Sequence, residues 1–131
     1  LEPPVSEVAE PFWDATRRRE LVLPWCRSCE QPFWYPREVC PRCLDDDIEW
    51  RAASGDGEVH AVSVMHKPGP GRDADAGPYA VAIVELVEGV RMMSNVVGCA
   101  PDDVVVGMRV HVAWHELSDG RHLPMFEPMT T

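Results

Sequence analysis

Cys26-Arg27-Ser28-Cys29 and Cys40-Pro41-Arg42-Cys43 are two Cys-x-x-Cys pairs separated by ten residues, with Phe33-Trp34-Tyr35 in the spacer. Zinc takes four soft ligands at the corners of a tetrahedron, and each Cys-x-x-Cys turn offers two sulfurs to one ion. The spacer is long enough to run out and back as a small hairpin, which brings the second pair onto the first. The stretch predicts one structural Zn2+ held by Cys26, Cys29, Cys40 and Cys43. Two disulfides or a thioredoxin-like redox pair fit less well, because no signal-peptide pattern and no βαβ pattern accompany the cysteines. Four thiolates close a zinc site, so this metal is expected to build structure rather than catalyse.

Outward from the cysteines, composition narrows the function class. The chain has 131 residues, 22 Asp plus Glu against 12 Lys plus Arg, and a formal net charge of −10. Such a field opposes a polyanion, so DNA or RNA binding is not expected. No run reaches the ~18 apolar residues of a membrane helix. Free thiols arranged for zinc point to a reducing cytoplasm. Leu1 in place of Met fits a fragment cut from a longer chain and fits a cloning choice equally well.

Before the cysteines, a helix is expected over roughly residues 8–20. Pro11 falls in its first turn, where the missing N–H is harmless, and Arg17, Arg18 and Arg19 follow at its negative end. Phe12 and Trp13 either staple this arm onto the body or dock on a partner protein, for which Trp and Arg make good anchors. In the ribbon, Phe33, Trp34 and Tyr35 are too many rings for so small a core, so some cap the metal site and others face outward. Arg37 and Arg42 lie near the thiolates as charge compensation.

After the ribbon the pattern turns to strands. Ile48 to Ala52 reads as an extended link, Glu58 to His66 as a strand, and Lys67 to Pro78 as a Pro/Gly-rich loop. Tyr79 to Val87 is a nearly continuous apolar strand, expected to be buried on both faces. Glu88-Gly89 turns into Val90 to Val97. Gly98 to Met108 connects with one helical turn, Arg109 to Leu117 is a strand, and Ser118 to Arg121 turns into His122 to Phe126. Five hairpin-connected strands predict a small closed barrel of the oligonucleotide/oligosaccharide-binding (OB) type. The fold class is thus mainly β, divided as helical arm 1–22, rubredoxin-like zinc ribbon 23–47 and five-stranded OB domain 48–131.

No catalytic set assembles from this sequence. His60, His66, His111, His115 and His122 read as surface or half-buried residues, Cys99 as a core or loop thiol, and no nucleophile elbow or phosphate loop occurs.

Taken together, Phe33-Trp34-Tyr35-Pro36-Arg37, Cys40-Pro41-Arg42-Cys43, Ile48-Glu49-Trp50, Ser54-Gly55-Asp56-Gly57-Glu58-Val59, Pro78-Tyr79-Ala80-Val81-Ala82-Ile83-Val84-Glu85-Leu86 and Gly107-Met108-Arg109-Val110 resemble the DUF35 family across the whole chain. Arg18-Arg19-Glu20-Leu21 departs from it where many members carry Gly before the Leu. The resemblance implies a non-catalytic partner of thiolase-fold acyl-CoA enzymes, its barrel beside the acyl-CoA and its ribbon and arm gripping the enzyme. One version supports an aldolase that cleaves a steroid side-chain acyl-CoA and is fused to or associated with a hot-dog-fold hydratase. Others partner an acetyl-CoA acetyltransferase or a hydroxymethylglutaryl-CoA synthase. On this reading Phe12, Trp13, Arg17, Phe33, Trp34 and Tyr35 are the partner-binding residues. Lys67, Arg72 and Arg91 are phosphate-contact candidates on charge alone. A nucleic-acid-binding OB module is the alternative from another class.

Overall fold

The arm is short because its sequence allows only two turns. In the computed structural model, whose described residues are 5–66 and 77–129, helix α1 covers Glu10–Thr16 with Pro11 in its first turn. Arg19 then adopts φ 57°. The N–H of Glu20 bonds the carbonyl of Ala15 (3.1 Å) and that of Arg19 the carbonyl of Thr16 (2.9 Å). This is a Schellman-type stop, with arginine at the left-handed position that glycine usually fills. The expected helix over residues 8–20 is therefore too long, since the three arginines form the terminating turn.

Three strands make the ribbon sheet in the order β2-β1-β3: β1 Val22–Cys26, β2 Gln31–Pro32 and β3 Ile48–Ala52. Ile48–Ala52 is not a link but a full partner of β1, with Cys26 opposite Ile48 and Val22 opposite Ala52. Its identity as a strand depends on that partner, twenty-two residues away at the near end and thirty at the far end, which local patterning does not reveal.

The remaining strands close a barrel in the order β4-β5-β6-β8-β7, with β4 Asp56–Met65, β5 Tyr79–Leu86, β6 Arg91–Val96, β7 Arg109–Glu116 and β8 His122–Pro128. β4 pairs with β5 and, over Asp56–Glu58, with β7, so one long strand seals the barrel. A register shift between Val59 and Ala61 bends it. Gly57 lies at this crossing, where a Cβ would come within 2.7 Å of the Glu85 carbonyl oxygen. The order and the closure are those of an OB barrel, as expected. A 3-10 turn at Pro101–Asp103 fills the connection before β7.

β5 alternates between half-buried and fully buried positions, starting half-buried at Tyr79, rather than being buried on both faces. Ala80, Ala82, Val84 and Leu86 point into the barrel, and Val81 and Ile83 lie on its half-covered outer side. The core is completed by Val59, Met92, Val96, Val110 and Phe126, the last with no exposed surface. It runs without a break into Phe12, Trp13, Leu21 and Leu23, so arm, ribbon and barrel share one apolar interior. β6 and β8 are the weak seam, parallel strands joined by the single register pair Val96–Phe126.

Candidate metal centre and apolar groove

Cys26 ends β1, Cys29 closes the turn after it, and Cys40 and Cys43 flank a second turn whose Leu44 N–H bonds the Cys40 carbonyl at 2.9 Å. All four Sγ atoms lie within 4.8 Å of one another. Cys26 and Cys43 are 3.6 Å apart, and Cys29 and Cys40 are 3.9 Å apart. A tetrahedron with Zn–S bonds of about 2.3 Å has edges of about 3.8 Å, so the donor set fits one zinc ion. Backbone N–H groups point at the sulfurs: Cys29 to Cys26 Sγ and Arg42 to Cys40 Sγ, each at 3.4 Å. The N–H of Cys43, with that of Arg42, brings the Cys40 thiol down to about 6. These donors favour thiolate, the form that binds metal.

Around the centre, side chains brace the knuckles. Ser28 donates to Asp45 across the two turns, and Arg27 pairs with Asp47 and Glu49, both at 3.1 Å. Arg51 and Arg27 together hold the Glu49 carboxyl below its ordinary range. Arg42 spends its guanidinium on the carbonyls of Gln31 and Pro32, at 3.3 and 3.2 Å. Cys26 and Cys40 are buried and Cys43 is exposed, so the metal would sit at the ribbon's edge.

Four of the predicted partner-binding residues, Phe12, Trp13, Trp34 and Tyr35, converge on one place. Phe12 packs on Trp13 edge-on and on Trp34, both with ring centroids 5.0 Å apart, and Trp34 meets Tyr35 at 5.6 Å. Phe12, Trp13 and Phe33 are buried, Trp34 is half-buried, and Tyr35 is 55% exposed. Phe12 and Trp13 thus staple the arm to the body, and a partner would meet them only as walls. Those walls, with Trp34, Tyr35 and Met93, enclose an apolar groove of about 320 Å³ over the β6–β8 seam. Ser94, Asn95, Leu123 and Pro124 form its opposite side. Ser94 donates to the Pro124 carbonyl at 2.7 Å, and Asn95 to that of Ala80 at 3.0 Å. Nothing in the local pattern marks Met92 to Asn95 as groove residues, because β6 meets the arm only through the fold. Met93, 60% exposed on a strand, is the trace it leaves.

Arg17 stands apart from the groove and donates to the carbonyl of Asp119. Arg91 pairs with Glu85 at 3.5 Å, while Lys67 and Arg72 lie outside the described residues. Among the histidines, His111 pairs with Asp56 at 2.5 Å, and His122 is buried rather than on the surface. The four cysteines are the one cluster suited to metal among the described residues. No helix there is long and apolar enough to cross a membrane.

Comparison with known proteins agrees with this architecture. The family model described as the ChsH2 rubredoxin-like zinc ribbon domain matches residues 13–49, and the ChsH2 C-terminal OB-fold domain matches residues 50–115. A probable enoyl-CoA hydratase alpha subunit of Thermomonospora curvata is 39% identical over 118 residues, 89% of this chain and 36% of that protein. A 3-oxo-4,17-pregnadiene-20-carboxyl-CoA hydratase alpha subunit of Mycobacterium tuberculosis is 33% identical over 82% of this chain and 34% of its own length. The chain thus spans about a third of these hydratase subunits. A DUF35 domain-containing scaffold protein of Methanothermobacter thermautotrophicus is 32% identical over 88% of this chain and 86% of its own. A solved structure of the Ltp2-ChsH2(DUF35) aldolase superposes with a TM-score of 0.84 and 35% identity, covering 97% of this chain and 98% of that one. With ribbon and barrel each matched in order, this chain belongs to the DUF35 family, in its ChsH2-type form of a zinc ribbon joined to an OB-fold barrel.

Proposed function

We propose that this chain is a non-catalytic accessory domain that binds and supports a thiolase-fold acyl-CoA enzyme, a retro-aldolase cleaving a steroid side-chain acyl-CoA. The observation that carries the reading is its near end-to-end likeness to a chain of the Ltp2-ChsH2(DUF35) aldolase. Likeness to the pregnadiene-carboxyl-CoA hydratase alpha subunit supports the steroid substrate and an association with a hot-dog-fold hydratase. On this reading the zinc is structural, holding the aromatic ribbon rigid against arm and barrel. Tyr35 and Met93 present the exposed rim to the enzyme, with Phe12, Trp13, Phe33 and Trp34 behind them. Arg17, bonded to the Asp119 carbonyl away from the groove, would be a separate contact, and Arg91 is the described candidate for a CoA phosphate. The complex works in the reducing cytoplasm.

A partner of the acetyl-CoA acetyltransferase or hydroxymethylglutaryl-CoA synthase type is the second reading. The scaffold relative, matched over most of its own length, shows that this architecture also occurs outside hydratase subunits, which leaves room for such a partner. Co-expression with each class of thiolase-fold enzyme encoded beside this chain, followed by size-exclusion chromatography, separates the two. Co-elution with a thiolase-like aldolase is expected. If every candidate elutes apart from this chain, the accessory role is wrong.

A further inference from the structure

His122 opens β8 at the point where the arm lies on the barrel, and it is 7% exposed. Its Nδ1 lies 2.8 Å from the carbonyl oxygen of Thr16. A carbonyl can only accept, so Nδ1 carries a proton. The Arg19 Nε–H points at Nε2 from 3.4 Å. A guanidinium can only donate, so Nε2 carries a lone pair and the ring is neutral. The backbone N–H of His122 donates to Thr16 Oγ1 at 3.2 Å, and that hydroxyl donates to the Trp13 carbonyl at 2.6 Å. These contacts of His122 tie the barrel to the arm.

Charged groups stand on each of the elements that meet at the ring. The arm supplies Arg17 and Arg19, with Arg18 and Glu20 paired outside at 3.5 Å. The β7–β8 turn supplies Asp119 and Arg121, ion-paired at 2.6 Å, and Arg121 stacks over Trp13 at 4.9 Å. β7 supplies Glu116, the register partner of His122, the edge-on Trp114 ring, and exposed His115 opposite Leu123. Protonated Nε2 would lose its donor and face the Arg19 cation. Arg19 reaches the ring from a left-handed backbone position, where glycine would be easier but would carry no side chain to it.

We propose that His122 is a proton-sensitive latch: the arm is held most tightly while the ring is neutral and opens more often when Nε2 takes a proton. Because Phe12 and Trp13 wall the apolar groove, release dismantles the groove as well. This inference stands on the contacts of His122 and does not depend on which enzyme the chain supports.

The test is amide hydrogen exchange of residues 10–20 in the full zinc-loaded chain, with free zinc in the buffer, between pH 7.5 and 5.5. After correction for intrinsic exchange, opening of the wild-type arm should rise severalfold, with about tenfold as the ceiling reached when the open ring is a free imidazole and the docked ring takes no proton. His122→Gln should show no rise, and Arg19→Gln about threefold or less. Arg19 needs no burial for folding, so its variant decides the matter if His122→Gln does not fold. Imidazole nitrogen shifts at pH 7.5 should report the Nδ1–H form. A flat wild-type profile, or the full wild-type response in Arg19→Gln, overturns the latch.

Discussion

At the scale of single residues, the cysteines and one phenylalanine carry the sharpest expectations. Cys26→Ser or Cys40→Ser removes one corner of the tetrahedron and should lower bound zinc from one ion per chain to near none, read by metal analysis. Because zinc binding supplies much of a small ribbon's folding energy, the same variants should lose partner binding. Retained zinc with retained binding would contradict that role. Phe126→Ala empties the centre of the barrel and should cost about 3–5 kcal/mol in chemical denaturation. Glu49 gives a pH prediction. Arg51 and Arg27 hold its carboxyl below the ordinary range, so its stabilisation is present above the ordinary carboxylate value of about 4.3 and is lost as pH falls through the lowered one. Glu49→Gln should therefore weaken the ribbon at pH 7, and its denaturation midpoint should converge on wild type in acid.

At the scale of elements, legibility followed how local the cause of each one is. The zinc knuckles were readable because four ligands and their spacing lie within eighteen residues. The turns at Glu88-Gly89 and Ser118 to Arg121 were readable from turn chemistry. Ile48–Ala52 was not, since its strand character comes from pairing with Val22–Cys26. β5 was misread as buried on both faces because Val81 and Ile83 are as apolar as the residues that point inward. The arm's end was misread because three arginines suit a helix C-terminus electrostatically, yet they form the turn that stops it. The groove was legible only on its aromatic side, Phe12, Trp13, Trp34 and Tyr35; its β6 wall is a product of tertiary packing. A seven-residue helix has no stability of its own, so its docking rests on those rings. Trp13→Ala should accordingly free the arm, seen as faster proteolysis near residues 10–20, and cost about 3–5 kcal/mol.

At the scale of the whole molecule, arm, ribbon and barrel share one apolar interior, so the zinc fixes more than its own loop. Chelation should therefore loosen the arm and the groove together with the ribbon, whereas the barrel's own ladders should survive. Circular dichroism would then keep its β signal while Trp fluorescence shifts to the red. The net charge of −10 belongs to this scale too, because a field of that sign opposes the approach of polyanions. On the proposed reading, a chain built this way acts by holding another protein. The most direct test is to titrate it into a fixed amount of a thiolase-like aldolase and follow acyl-CoA cleavage. Activity should climb and level off at a fixed ratio of the two chains, with none from this chain alone. Cleavage that ignores its addition, or turnover by this chain by itself, would contradict the account.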